Sequence, residues 1–296
     1  MSKPQGRVPV INQEVIALYD EYTHAPLPRR VFMKRLTAMT GSTVAASAVL
    51  PFLENNYAQA AVLAPDDARI HVQRLSFAGE GGPLNAYLAT PTHVAGKLPA
   101  VIVIHENRGL NPHIEDITRR LALAGYLALG VDYLSAQGGT PADEDKARDM
   151  FAKLDAKTTG SISLAALKYL KQHPQSTGKV GVVGFCWGGA AVNQLATLAP
   201  DLNAGVAFYG MQPGADEAAK IKAPLLLHYA GLDERINAGI PAYEAALKAA
   251  GVHYEVFMYE GVNHAFHNDT NAARYNEAAA RLAWQRTLDF LKRHLA

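Results

Sequence analysis

The chain holds one cysteine, Cys186, and it stands in the run Gly184-Phe185-Cys186-Trp187-Gly188. The spacing G-x-nucleophile-x-G belongs to a turn between a strand and a helix. That turn is so sharp that its central residue takes a strained backbone, and the glycines let the two elements approach without clashing Cβ atoms. The central side chain is pushed out at the carboxyl edge of a sheet, where the free N–H groups and dipole of the helix favour a thiolate over a thiol. A nucleophile needs a base, and the base needs an orienting group. Asp233 lies in "HYAGLDERI" and His264 in "YEGVNHAFH", each directly after an apolar run, in the order nucleophile, acid, histidine. Asp233 would hold the imidazole in the useful tautomer, and His264 would take and return the proton. The backbone N–H groups of Trp187 and Asn107 are the expected donors to an oxyanion. Against this stands a plainer reading: a buried filler cysteine, an aspartate that caps a helix and a structural histidine.

Such a constellation needs a sheet to carry it. Residues 69–77 and 84–90 alternate apolar and polar positions, as a half-exposed hairpin would. Residues 98–106 form a continuous apolar run with β-branched members, the pattern of a strand buried on both faces. A helix is predicted over 112–126, with Pro112 in its first turn and Gly125 near its end. The rhythm repeats through strand 127–132, helices 142–154 and 161–173, and strands 179–185, 204–210, 223–230 and 253–260. Helices near 240–250 and 272–295 fill the gaps. Alternating βα units with apolar strands predict an α/β fold: a mostly parallel central sheet with helices on both faces. No internal repeat and no interdomain linker interrupts residues 61–296, which read as one catalytic domain.

Composition narrows the function classes. Hydrophobic residues make up 49% and charged residues 19%, and the formal net charge is +1. That balance fills a globular core and leaves no basic footprint for nucleic acid. A single cysteine excludes an internal disulfide framework and a cysteine-based zinc site. His264, His267 and Asp269 are closely spaced but lack the helical H-E-x-x-H arrangement, so no metal is expected.

Residues 1–60 read differently. Arg29-Arg30-Val31-Phe32-Met33-Lys34 is similar to the twin-arginine pattern R-R-x-F-x-K. A mildly apolar run, 36–50, follows and is closed by Pro51, and Ala58-Gln59-Ala60 offers a small-x-small peptidase site. The apolar run is too short to span a bilayer, so no permanent membrane span is expected. These features predict a leader for twin-arginine export machinery and a periplasmic or secreted mature domain starting near Ala61. The alternative is a cytoplasmic protein that keeps an N-terminal helix, since "NQEVIALYDEYTHAPL" has an amphipathic pattern.

From about residue 70 onward the chain resembles the dienelactone hydrolase (carboxymethylenebutenolidase) family of α/β-hydrolases. The resemblance rests on "VIHENRGLN" (103–111), "GKVGVVGFCWGG" (178–189), "LLLHYAGLDERI" (225–236) and "YEGVNHAFHND" (259–269). It implies an ester or lactone hydrolase with a Cys186-His264-Asp233 triad, a thioester acyl-enzyme and no cofactor. It also implies that Glu106 contacts the resting thiol and gives way when substrate binds, which would shield the sulfur from oxidation. Members that accept dienelactone hold its carboxylate with two arginines. Their positions here carry Ala136 and Asn268, neither able to bind a carboxylate bidentately. Arg108 and Arg235 are candidates for substitute charge, and Trp187, Tyr133 and Phe266 for the pocket lining. Readings from a different class are a non-catalytic binding module or a thiol redox sensor. A sensor normally carries a resolving cysteine, and this chain has a single thiol.

Overall fold

The computed structural model describes residues 11–59 and 62–296. Three helices come first, α1 (Gln13–His24), α2 (Arg29–Thr40) and α3 (Thr43–Leu53). Asn12 caps α1 by accepting from the Val15 N–H, and Ser42 caps α3 by accepting from the Ala45 N–H. The three bury Tyr19, Tyr22, Phe32, Leu36, Ala46 and Leu53 against one another, with the Tyr22 and Phe32 rings stacked at 4.3 Å. Burying each of the larger apolar side chains is worth about 1.5–3 kcal/mol, so this segment has a small core of its own. Gly41, at φ 82°, turns the chain between α2 and α3, which are bent by 112°. No single helix among the described residues is long and apolar enough to cross a membrane. By length and composition alone, the bent pair α2–α3 passes that test together. Ala60 and Ala61, where the expected cleavage falls, lie outside the described residues.

The α/β rhythm follows. The strands are β1 (Ile70–Gly79), β2 (Gly82–Pro91), β3 (Leu98–Ile104), β4 (Leu127–Val131), β5 (Ser176–Phe185), β6 (Ala204–Phe208), β7 (Leu225–Ala230) and β8 (Tyr254–Tyr259). Between and after them run α4 (Pro112–Leu123), α5 (Glu144–Phe151), α6 (Ala156–Gln172), α7 (Trp187–Leu198), α8 (Ala215–Ala218), α9 (Glu234–Asn237), α10 (Ile240–Ala249) and α11 (Glu277–Leu295). They form one eight-stranded sheet in the order β1-β2-β4-β3-β5-β6-β7-β8. The hairpin β1–β2 and its junction with β4 are antiparallel, and every other neighbour is parallel. The predicted α/β-hydrolase fold is the one observed.

Alternation along the strands explains both covering layers. On β5, Val180 and Val182 belong to the core layer that α6, α7 and α10 cover, whereas Val183 and Phe185 belong to the one that α4 and α11 cover. The largest boundary differences are at α11, expected from near residue 272 but starting at Glu277, and at α6, expected from residue 161 but starting at Ala156. Asp155 accepts from the Thr158 N–H at 2.7 Å and sets that start. Gly160 lies inside α6, where the missing side chain leaves room for Leu198 of α7: a Cβ there would meet Leu198 Cδ1 at 2.7 Å. The segment expected to be a leader lies folded on this domain. Arg29 bonds Asp145 at 2.8 Å and Glu54 at 3.1 Å, the Asn56 N–H donates to the Thr270 carbonyl, and the Arg148 guanidinium lies 4.4 Å over the Tyr22 ring.

Candidate active site

Strand β5 ends at Phe185 and α7 begins at Trp187, so Cys186 alone makes the corner, with φ 56° and ψ −114°. A non-glycine residue rarely takes that backbone, and holding it costs about 1–3 kcal/mol. The surrounding glycines make the corner possible. A Cβ on Gly184 would sit 2.2 Å from the Gly188 carbonyl oxygen, and one on Gly188 2.5 Å from the oxygens of Ile104 and His105. One on Gly189 would sit 2.7 Å from the Phe208 oxygen. Helix α7 is therefore pressed onto the ends of β3 and β6, and its free N-terminal amides surround the cysteine.

Cys186 is buried to 7% exposure yet lines a cavity of about 880 Å³, together with Leu27, Trp187, Met211, Arg235 and His264. His264 comes from the loop after β8, where Ala265 at φ 64° turns the chain. Its Nδ1 meets Asp233 Oδ2 at 2.5 Å, and Asp233, after β7, also accepts from the Ile236 N–H at 3.3 Å as the cap of α9. These two bonds fix the carboxylate, and the carboxylate fixes the ring. His264 Nε2 has no hydrogen-bond partner. The described hydrogen bonds give neither the Trp187 nor the Asn107 amide an acceptor, and both residues line the cavity beside the sulfur.

A residue from the N-terminal segment completes the cluster. His24, the last residue of α1, places Nε2 3.2 Å from Cys186 Sγ, and its ring meets that of His264 edge to face at 4.6 Å. One atom from each of His24, Cys186 and His264 lies within 4.8 Å of the other two. The three form an acid–base cluster in which a thiol sits between two imidazoles. Burial alone would raise the Cys186 thiol, but the charges of His24 and His264 outweigh it and bring it down to about 6. Burial would likewise disfavour the His264 cation, but the Cys186 and Asp20 charges and the Asp233 hydrogen bond lift it to about 10. His24 is raised too, against its burial, chiefly by the Cys186 charge.

Several expected lining residues stand elsewhere. No described hydrogen bond joins Glu106 to the thiol: its Oε2 accepts from Asn268 Nδ2 at 2.9 Å, its Oε1 is buried without a partner, and the sulfur's hydrogen bond is to His24. Arg108 is turned away from the large cavity, with Nη1 donating to the Glu144 carbonyl at 2.9 Å and Nε 3.7 Å from Glu144 Oε2. Tyr133 is a buried support, hydrogen-bonded through its hydroxyl to Ser163 Oγ at 2.7 Å and set edge-on behind the Trp187 ring. Phe266 is fully buried between Tyr209 and Tyr259. Strand periodicity says which residues are apolar, not which side of a loop they face. His264, His267 and Asp269 diverge, because His267 packs among Phe185, Phe208 and Trp284 while Asp269 pairs with His113 and Arg120. Unforeseen in the lining are His24 and Tyr209. The latter, at φ 40°, lies 4.9 Å from the His264 ring.

Residues 84–295 match the family model described as "Dienelactone hydrolase family". The chain belongs to the dienelactone hydrolase family. It is 36% identical over 248 residues to a "Putative carboxymethylenebutenolidase" of Escherichia coli O157:H7, covering 79% of this chain and 90% of that one. It is 34% identical over 224 residues to a "Probable 2-oxo-3-(5-oxofuran-2-ylidene)propanoate lactonase" of Bradyrhizobium sp., covering 71% and 89%. Among solved structures, the "Putative Dienelactone Hydrolase" of Klebsiella pneumoniae superposes with a TM-score of 0.68 at 30% identity, covering 75% of this chain and 98% of that one. As a dienelactone hydrolase family member the protein is a hydrolase acting on esters or lactones. Helices α1–α3, and His24 with them, lie outside the matched residues.

Proposed function

We propose that the chain hydrolyses a small ester or lactone through Cys186, His264 and Asp233 by way of a thioester. The observation that carries this reading is the strained cysteine at the β5–α7 corner, lowered to about 6 and facing the same cavity as an Asp233-anchored imidazole whose Nε2 is free. The thiolate attacks the carbonyl carbon, and the carbonyl electrons move onto the oxygen, held by the Asn107 and Trp187 amides. The tetrahedral adduct collapses, the C–O bond breaks, and His264 gives its proton to the leaving oxygen. Water then attacks the thioester, its proton passes to His264, the C–S bond breaks and the thiolate is restored.

The substrate class follows from the lining. The cavity is walled by Leu27, Ile236, Phe151, Trp187, Met211 and Tyr209, with Arg235 at its edge. Neither position expected to bind a carboxylate does so: Ala136 is exposed outside the cavity, and Asn268 is committed to Glu106. An ester or lactone with an apolar body fits this surface better than one bearing a carboxylate. Twin-arginine export remains our proposal for location, carried by the Arg29-Arg30 motif and the apolar run after it, with the segment kept on the chain rather than cleaved near Ala60.

The test is hydrolysis of p-nitrophenyl acetate by the wild type and by Cys186→Ala, with mass spectrometry for an acyl group of the right mass on the thiol. The expected loss of kcat is about a thousandfold or more. Equal rates, as a binding module or redox sensor would give, overturn the reading.

A further inference from the structure

His24 reaches the catalytic sulfur from outside the family-matched part of the chain, and the fold spends several bonds to keep it there. Its Nδ1 lies 2.8 Å from the Asp20 carbonyl oxygen and 3.3 Å from Asp20 Oδ1. Both are acceptors, so the Nδ1 proton is fixed and Nε2 is left facing the sulfur. Asp20 is held in turn by Arg274 at 3.5 Å, whose guanidinium also covers the Tyr19 ring. The next residue back is tied to the predicted oxyanion loop, with Asn107 Nδ2 donating to the Thr23 carbonyl at 2.8 Å. The segment does not plug the site. Ala25, Pro26, Leu27 and Pro28 form one wall of the 880 Å³ cavity and leave it open beside the sulfur.

We infer that the N-terminal helices are a permanent part of the working active site and that His24 is a catalytic residue, a second imidazole that holds the charge of the Cys186 sulfur. The inference rests on the cysteine-nucleophile reading above. His264 must surrender its proton to the leaving oxygen and recover it from water. His24 keeps its own, donating from Nε2 to the thiolate before attack and again when the C–S bond breaks and the sulfur leaves as an anion. It thus takes the place at the thiol that was expected of Glu106. The charged groups around it are Cys186, His264, Asp20 and, across a small void beside the ring, Glu106, Arg108 and Arg274. A chain cut at Ala58–Ala60 and released from its first helices would lose His24 and this wall.

The experiment uses the full chain and follows iodoacetamide alkylation of Cys186 against pH in the wild type, His24→Gln and His264→Gln, with p-nitrophenyl acetate hydrolysis in parallel. In His24→Gln the alkylation midpoint should rise by about one pH unit, so that alkylation at pH 6 slows several-fold. Hydrolysis should fall several-fold at pH 6 and recover at pH 9, where the thiolate forms unaided. A variant that folds and keeps the wild-type midpoint overturns the inference, as does a loss that high pH does not restore. Should His24→Gln not fold, ring NMR of the unaltered chain decides. The His24 resonance must titrate lower once the thiol is capped by iodoacetamide, and an unmoved titration overturns the inference. Failure of the wild type to hydrolyse any ester would sink the proposed function while leaving the alkylation profile to judge His24.

Discussion

The two imidazoles beside Cys186 are held by unequal means. His264 leans on a carboxylate, Asp233, that is almost wholly buried and itself fixed as a helix cap. His24 leans on a backbone carbonyl and, at longer range, on Asp20, whose side chain is 22% exposed. A buried carboxylate stabilises the imidazolium strongly and still lets the ring exchange its proton on Nε2, as acid–base chemistry requires. A peptide carbonyl fixes the tautomer with less charge behind it, which suits a ring that keeps its proton. In the proposed mechanism, this difference would give the moving proton to the arm built from the βα loops and the stationary one to the arm built from α1.

Removing the carboxylate from each arm tests that division. Asp233→Asn deprives His264 of its only hydrogen-bond acceptor among the described residues and favours the wrong tautomer, so kcat should fall about a thousandfold or more. Asp20→Asn leaves the Asp20 carbonyl in place, and kcat should fall no more than about tenfold. Steady-state kinetics on one neutral ester, with circular dichroism to verify folding, is the measurement. Equal losses in the two variants would erase the distinction between the arms.

The core arm was legible in the sequence and the other was not, for physical reasons. The apolar runs of β3, β5, β6 and β7 are buried on both faces, so their pattern is continuous and their ends are sharp. A residue directly after such a strand must lie at the carboxyl edge, so strand pattern alone brings Cys186, Asp233 and His264 to one edge of the sheet. His24 lies 162 residues before the thiol it meets, and no local rule joins them. Its signals were weaker: an Asn12 cap, a buried face of Val15, Leu18, Tyr19 and Tyr22, and an Asp20–His24 pair one turn apart. The Arg29-Arg30 motif and the apolar run after it spoke for a leader, yet the same residues serve packing, since Phe32 and Leu36 bury against α1 and Arg29 pairs with Asp145. Tyr133 and Phe266 were placed in the right loops and on the wrong side of them, because a loop's facing is set by tertiary packing.

The pH profile sharpens the comparison further. Below about 6 the sulfur regains its proton and the nucleophile is lost; above about 10 His264 loses the proton that the leaving oxygen needs. A plot of kcat/KM should therefore rise about tenfold per unit up to pH 6, stay level, and fall beyond pH 10, with both limits belonging to the coupled cluster. Loss of the His24 ring alone should move the acid limb upward, whereas loss of Asp20 should also bring the alkaline limb down, because the Asp20 charge helps raise His264. Loss of Asp233 should bring the alkaline limb down, because the carboxylate is part of what raises His264. An acid limb near 9, the ordinary value for a thiol, would show that neither ring holds the sulfur's charge.

The smallest effect concerns substrate charge, and it again separates the two sides of the cavity. On the N-terminal side Arg29 is spent on Glu54 and Asp145, and below it Arg148 is spent on Asp145 and Asp149. On the core side Arg235, two residues after Asp233, lines the cavity with no ion pair among the described residues, whereas Arg108 is held by Glu144 outside it. An acidic substituent on the substrate should therefore be felt by Arg235. The cation is exposed, so its contribution is limited to about 1 kcal/mol, or about fivefold. Arg235→Ala should lower kcat/KM for an ester bearing a carboxylate by that factor relative to a neutral ester of the same shape. Arg108→Ala should leave the ratio unchanged, since its guanidinium does not reach the cavity. A shifted ratio in the Arg108 variant alone would mean that the loop after β3 moves during binding, and the core side would then lose its claim to the substrate's charge.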